Sequence, residues 1–183
     1  MKNLLPLGLL LSSLCSVAAT DEQGDKAGIT EAVAINQLRR AGIAVNKIRG
    51  RGWIGAGIRT ENDDVPAAVL KNLQYIKGLE EVAVFSNKME ERLEAIADVP
   101  GLKIILIQAG NMSDMSDRSL RHLSKHTEVT QLSIKSDKVT DAGLIHLEPL
   151  KKLEKLKLID TKVTKPGLEK LYKVLPKCVV ELN

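Results

Sequence analysis

Residues Val129–Val174 read VTQLSIKSDKVTDAGLIHLEPLKKLEKLKLIDTKVTKPGLEKLYKV, and the second half of this stretch nearly repeats the first. Lys138-Val139-Thr140 returns as Lys162-Val163-Thr164, 24 residues later. Each copy opens with apolar residues at the first, fourth and sixth places: Val129, Leu132 and Ile134, then Leu153, Leu156 and Leu158. Each closes with an apolar series at helical spacing: Leu144, Leu147 and Leu150, then Leu168, Leu171 and Val174. Strand side chains alternate between faces, and helical side chains return to one face every three or four residues. A strand, a loop and a helix at a fixed period describe a stack of units, each burying its apolar side against the next.

Working outward, the same first strand position falls on Trp53, Leu79, Leu102, Val129, Leu153 and Cys178, in steps of 26, 23, 27, 24 and 25 residues. The next two inward positions are Ala56 and Ile58, Val82 and Val84, Ile105 and Ile107, Leu132 and Ile134, Leu156 and Leu158. Helices are predicted at Val65–Ile76, Met89–Ala97, Ser116–Lys125, Asp141–Leu150 and Pro166–Leu175. Thr140, Thr164 and Ser116 stand where helix N-caps belong. Gly50, Gly52, Gly55 and Gly57 leave the first strand poor in side chains, which makes its register the weakest of the set.

The K-V-T-D-A-G-L-x-x-L pattern at Lys138–Leu147 resembles the leucine-rich-repeat family in its bacterial secreted type. The resemblance implies an α/β fold, a short right-handed solenoid shaped as a horseshoe, with a parallel sheet on its concave side and helices on its convex side. It implies leucine-rich repeats over 53–177 and a C-terminal capping strand over 178–183. It also implies a polar residue in the bend after each strand; the nearest matches are Asn87, Asn111, Asp137 and Thr161. Asn and Asp side chains bond readily to nearby backbone, and Thr does so more weakly. A doubly wound α/β domain is the rival, but Gly50-Arg51-Gly52 is only a fragment of its glycine-rich turn.

The N-terminal end differs. Lys2, the apolar run Leu4–Leu14 and the small residues Val17-Ala18-Ala19 form the pattern of a signal peptide over 1–19, cleaved near Ala19. Export to the periplasm or the outside is the expected address, with no transmembrane span left in the mature chain. Residues 20–28 are polar and read as a flexible linker. Residues 29–52 read as a helix–strand cap: Thr30 caps a helix through Ala41, with Val33, Leu38 and Ala41 on its apolar side, and Ile43–Ile48 forms a strand. Loss of residues 1–19 removes one of the 27 basic residues and none of the 23 acids, leaving a net charge of +3. That charge is spread along the chain, so no concentrated basic face marks a nucleic-acid binder.

No residue set for catalysis, and none for a cofactor, emerges. His122 and His126 are four apart on one predicted helix and His146 follows one repeat later, a spacing that can hold a metal. Leu123 stands where the metalloprotease pattern has its glutamate, so solvated helix residues are the preferred reading and no metal site is assigned. Cys178, the one cysteine beyond the signal segment, falls at a core register position and reads as a buried apolar residue. Lys151, Lys152, Lys155 and Lys157 read as a solvated edge.

Residues between the inward positions point to the opposite, concave face. They are Gly55, Gly57 and Arg59; Glu81, Ala83 and Phe85; Ile104, Leu106 and Gln108; Gln131, Ser133 and Lys135; Lys155, Lys157 and Ile159. Phe85, Ile104 and Leu106 make an apolar centre, and Arg59, Gln108, Gln131, Lys135 and Lys157 a polar rim, which is the anatomy of a recognition surface. The expected function is a non-catalytic binding module for another protein, with a structural, envelope-associated role as the alternative.

Overall fold

The computed structural model describes residues 29–47, 54–60 and 65–183. The expected signal segment 1–19, the linker 20–28, Trp53, Gly50 and Gly52 lie outside the described residues. The protein is an α/β structure with one seven-stranded sheet whose strands lie in chain order. They are β1 (Ala44–Lys47), β2 (Ile54–Thr60), β3 (Leu79–Ser86), β4 (Ile104–Ala109), β5 (Gln131–Lys135), β6 (Lys155–Ile159) and β7 (Val179–Leu182). Strands β2 to β7 are parallel, while β1 runs antiparallel to β2, which corrects the expectation of a wholly parallel sheet. The reason is topological: only residues 48–53 join the two strands, and a parallel pair needs a crossover of a dozen residues or more.

The two inward positions read from the sequence for each strand align at every pair from β2 to β6, whereas the first position does not at β2, where a register shift sets Ile54 opposite Leu79. Ala56, Val82, Ile105, Leu132 and Leu156 are partners across the ladder, as are Ile58, Val84, Ile107, Ile134 and Leu158. All ten are buried in one hydrophobic cluster. The helical segments supply the rest of that cluster, so the core lies on one face of the sheet. They are α1 (Glu31–Arg40), α2 (Ala67–Leu70) continuing as the 3₁₀ helix η1 (Lys71–Tyr75), α3 (Met89–Ile96), the 3₁₀ helices η2 (Asp117–Lys125) and η3 (Asp141–Leu147), and α4 (Lys165–Val174).

Three of the helices expected from spacing thus contain or consist of 3₁₀ turns, and the spacing itself explains which. A 3₁₀ helix repeats every three residues and an α-helix every 3.6. The buried residues Leu70, Leu73 and Ile76, then Leu120 and Leu123, then Leu144, Leu147 and Leu150, step by three. In α3 the buried Met89, Leu93 and Ile96 mix steps of four and three, and in α4 Leu168, Leu171 and Leu175 do the same. Leu175 therefore replaces the expected Val174 as the anchor of the last helix. In α1 the buried pair is Ala34 and Leu38, four apart, while Val33 is 42% exposed and Ala41 is only partly covered. Its end is a Schellman turn: Gly42 takes φ 79°, the Ile43 N–H bonds to Leu38 and the Gly42 N–H to Arg39.

Successive units are clamped to one another. Asp117, at the start of η2, accepts from the Thr140 N–H at 2.7 Å and its hydroxyl at 2.6 Å. Asp141, at the start of η3, accepts from the Thr164 N–H and hydroxyl at the same two distances. Thr140 and Thr164 in turn cap their own helices, accepting from Ala142 N–H and Gly167 N–H. The bonds from the Thr164 hydroxyl and N–H draw the Asp141 carboxylate below the usual carboxylate range. The T-D-x-G pattern is therefore structural: the aspartate reaches forward to the next unit's threonine, and the next unit's glycine leaves it room. Lys165 holds the aspartate's place in the last described helix.

Candidate functional site

The face of the sheet opposite the core carries the residues predicted for binding, and the ladder sets them in three rows. One row runs Glu81, Ile104, Gln131, Lys155, Val179; the next runs Gly57, Ala83, Leu106, Ser133, Lys157, Glu181; the third runs Arg59, Phe85, Gln108, Lys135, Ile159. The eight residues predicted as a surface (Arg59, Phe85, Ile104, Leu106, Gln108, Gln131, Lys135 and Lys157) are thus brought together on one face.

Their exposure departs from the expected apolar centre. Ile104 is only 4% exposed, because long side chains at Glu81 and Gln131 stand beside it at the strand spacing of about 4.8 Å. Phe85 is half-buried, and the Arg59 guanidinium lies over its ring at 5.6 Å from the centroid, within cation–π range. Leu106 is half-buried, while Arg59 and Gln108 are exposed. The surface a partner would meet is therefore more polar than the sequence reading supposed.

Two depressions open on this face. The first, of about 360 Å³, sits at the C-terminal ends of β2, β3 and β4 and is lined by Arg59, Phe85, Asn87, Gln108, Gly110 and Asn111 among others. The second, of about 240 Å³, lies over β4 to β7 and is lined by Leu106, Gln131, Ser133, Lys155, Lys157 and Glu181 among others. Sequence reasoning missed the first as a concavity. It assigned Asn87 and Asp137 to backbone contacts that the preceding residues make instead: Ser86 Oγ accepts from the Lys88 N–H, and Ser136 Oγ from the Lys138 N–H. Those serines leave Asn87 to line the depression. Gly110 lets its loop close against Asn87, since a Cβ there would stand 2.1 Å from Asn87 Oδ1.

The remaining candidates are dispersed. His122 Nε2 lies 3.1 Å from Glu90 Oε1, which also meets Arg121 at 3.0 Å. Burial opposes the ionised Glu90, but bonds from Ser119 and His122 and the charges of His122 and Arg121 outweigh it and hold its pKa low. His126 points elsewhere: it is 5% exposed, and burial depresses its pKa to about 4. Among the described residues no group of three or more His, Cys, Asp or Glu side chains is placed to hold a metal. Cys178 is buried, which raises its thiol pKa. Within the lysine cluster, Lys152 pairs with Glu128 at 2.6 Å and Lys157 with Glu181 at 3.8 Å. Among the described residues no helix is long and apolar enough to cross a membrane. No family model matches the sequence, and no curated protein matches it.

Proposed function

We propose that this chain is a right-handed leucine-rich-repeat solenoid of the bacterial exported type and that it acts as a non-catalytic module binding another protein through the face of its sheet opposite the core. The observation that carries the reading is the division of the sheet. One face is filled by a continuous core, and the other aligns Arg59, Phe85, Leu106, Gln108, Gln131, Lys135 and Lys157 in adjacent rows with two depressions between them. A rigid parallel sheet fixes the spacing of such rows, so a partner meets side chains whose positions are set before it arrives. The mild, dispersed charge supports a protein partner over a nucleic acid. The apolar start of the chain supports a site of action outside the cytoplasm.

The test is affinity capture from the native cell's extract with the chain as bait, repeated with Phe85→Ala/Leu106→Ala. The double variant should lose the captured protein by about tenfold or more while its far-UV circular dichroism stays that of the parent, since a few central anchors carry most of the binding energy of such surfaces. Full retention of the partner would move binding to the helical side or to a sheet edge.

A further inference from the structure

We infer that the second depression on the face opposite the core is a receptor for an acidic side chain, and that the partner segment lying over β4 to β6 carries an Asp or Glu next to an aliphatic residue. This rests on the reading of that face as the protein-binding surface.

The depression has a simple origin. Ser133 stands in its row between Leu106 on β4 and Lys157 on β6, with Gln131 and Lys135 before and after it on the same face of β5. It is the shortest of these side chains, so its neighbours form walls around it. Leu132 and Leu156 also line the depression, but both point into the core at 2% and 1% exposure, so only their backbone is reached from this side. The floor is thus a hydroxyl and strand backbone, one wall is Leu106, and the opposite wall is Lys155 and Lys157.

The charge balance selects the occupant. Lys155 and Lys157 are two apart on one strand, so their stems rise from the same face about 6.6 Å apart. Both are exposed. Among the described residues no carboxylate lies within ion-pair distance of Lys155. The single acid in the wall, Glu181, reaches Lys157 only at 3.8 Å, with both side chains largely in solvent. Two ammonium groups with half a partner between them, beside a hydroxyl donor and the Gln131 amide, complement a carboxylate. Leu106, half-buried on the opposite wall, offers an aliphatic contact one strand away from Ser133. The first depression differs: Arg59 there is already seated on Phe85, and its other walls are neutral amides.

The experiment is selection of a random-peptide phage library on the immobilised full chain, run in parallel on Lys155→Glu/Lys157→Glu and on Phe85→Ala/Leu106→Ala. The expected result is enrichment of peptides with Asp or Glu adjacent to Leu, Ile or Val. Their binding should fall about tenfold or more on the lysine-reversed variant, because attraction to two exposed cations becomes repulsion. It should also weaken as salt rises. Enriched peptides that are neutral or basic, and are lost only on Phe85→Ala/Leu106→Ala, would overturn this inference and leave the binding face standing. Selection that yields nothing, or peptides indifferent to both variants, would overturn both readings. A filled variant, Ser133→Phe, checks the outcome without changing any charge: it should abolish acidic-peptide binding if the carboxylate sits over Ser133, and unchanged binding would overturn that seat.

Discussion

The strands β5 and β6 and the strand β2 occupy the same sheet in the same register, yet they are built differently. At the paired core positions β5 and β6 carry Leu132 and Ile134, Leu156 and Leu158, whereas β2 carries Ala56, set between Gly55 and Gly57, and Ile58. The joints differ too. From η2 onward each aspartate clamps the next threonine in the same geometry. Earlier in the chain the joint is made differently: Asp114 reaches back across one unit to the Met89 and Glu90 N–H groups, and Ser116 shares a capping box with Ser119. A repeated contact constrains both of its partners in every unit, so the sequence repeats. A contact made once leaves no such trace. Sequence regularity here measures the uniformity of the joints, while the fold continues on either side of them.

The largest expected effect tests whether the regular strands carry more of the core. Leu132→Ala or Leu156→Ala removes a side chain that is 2% or 1% exposed and should cost about 2–5 kcal/mol by denaturant unfolding. Ala56→Gly, at the equivalent position of β2, should cost about 0.5–1 kcal/mol, mostly through backbone freedom. Equal losses in the two regions would erase the contrast.

Next comes His126, a polar residue at a place that its neighbouring units fill with hydrocarbon. Three residues before each strand register position stand Ile76, Val99, His126, Leu150 and Leu175, and all five are buried. The His126 Nε2 is buried and has no hydrogen-bond partner, while a bond to the Val99 backbone and the charge of Asp98 only partly offset its burial. The folded pKa, about 4, lies below the ordinary value of 6.5, so the fold favours the neutral ring. Its contribution is therefore complete above pH 6.5 and is lost as pH falls toward 4, by up to about 3 kcal/mol at 1.36 kcal/mol per pH unit. Urea midpoints measured between pH 7.5 and 4.5 should fall more steeply for the parent than for His126→Leu. That variant should match the parent or exceed it at neutral pH. A variant with the parent's acid slope would assign the slope to other groups.

Much of this structure could be read from the chain because its apolar residues obey two different periods. The strand triplets from Leu79 to Leu158 fell on the correct face, as did the eight surface residues, since alternation leaves no freedom once the register is set. The helix type was equally present in the spacing, in the steps of three at Leu144, Leu147 and Leu150, but was read only as helix. The direction of β1 was not legible, because chain reversal depends on the length of a connection whose apolar content says nothing about direction. Neither was the burial of Ile104, which depends on the reach of Glu81 and Gln131 from other strands. Nor were the depressions, which arise from one short side chain, Ser133, and from loops packed against one another at Asn87 and Gly110. Such features belong to neighbours in space, and a pattern along the chain records them only when they repeat.

The smallest effect is also the sharpest probe of the joints, because it turns on single methyl groups. A Cβ built on Gly143 would stand 2.6 Å from Asp117 Oδ1 and 2.9 Å from Leu120 Cδ1. On Gly167 it would stand 2.1 Å from Asp141 Oδ1. Neither aspartate can retreat freely, since each is fixed by two hydrogen bonds to the following threonine. Gly143→Ala and Gly167→Ala should therefore each cost about 1–3 kcal/mol, as overpacked sites do. Gly57 in β2 has nothing within 4 Å of an added Cβ, so Gly57→Ala should be neutral or gain about 0.4–1 kcal/mol by restricting the unfolded chain. The clamp itself is then isolated by a double-variant cycle. If Asp117 is what excludes the methyl group, Asp117→Ala/Gly143→Ala should lose less stability than the two single changes added together. Strict additivity would assign the cost to Leu120 or to the backbone and show that the aspartate carboxylate merely lies beside Gly143.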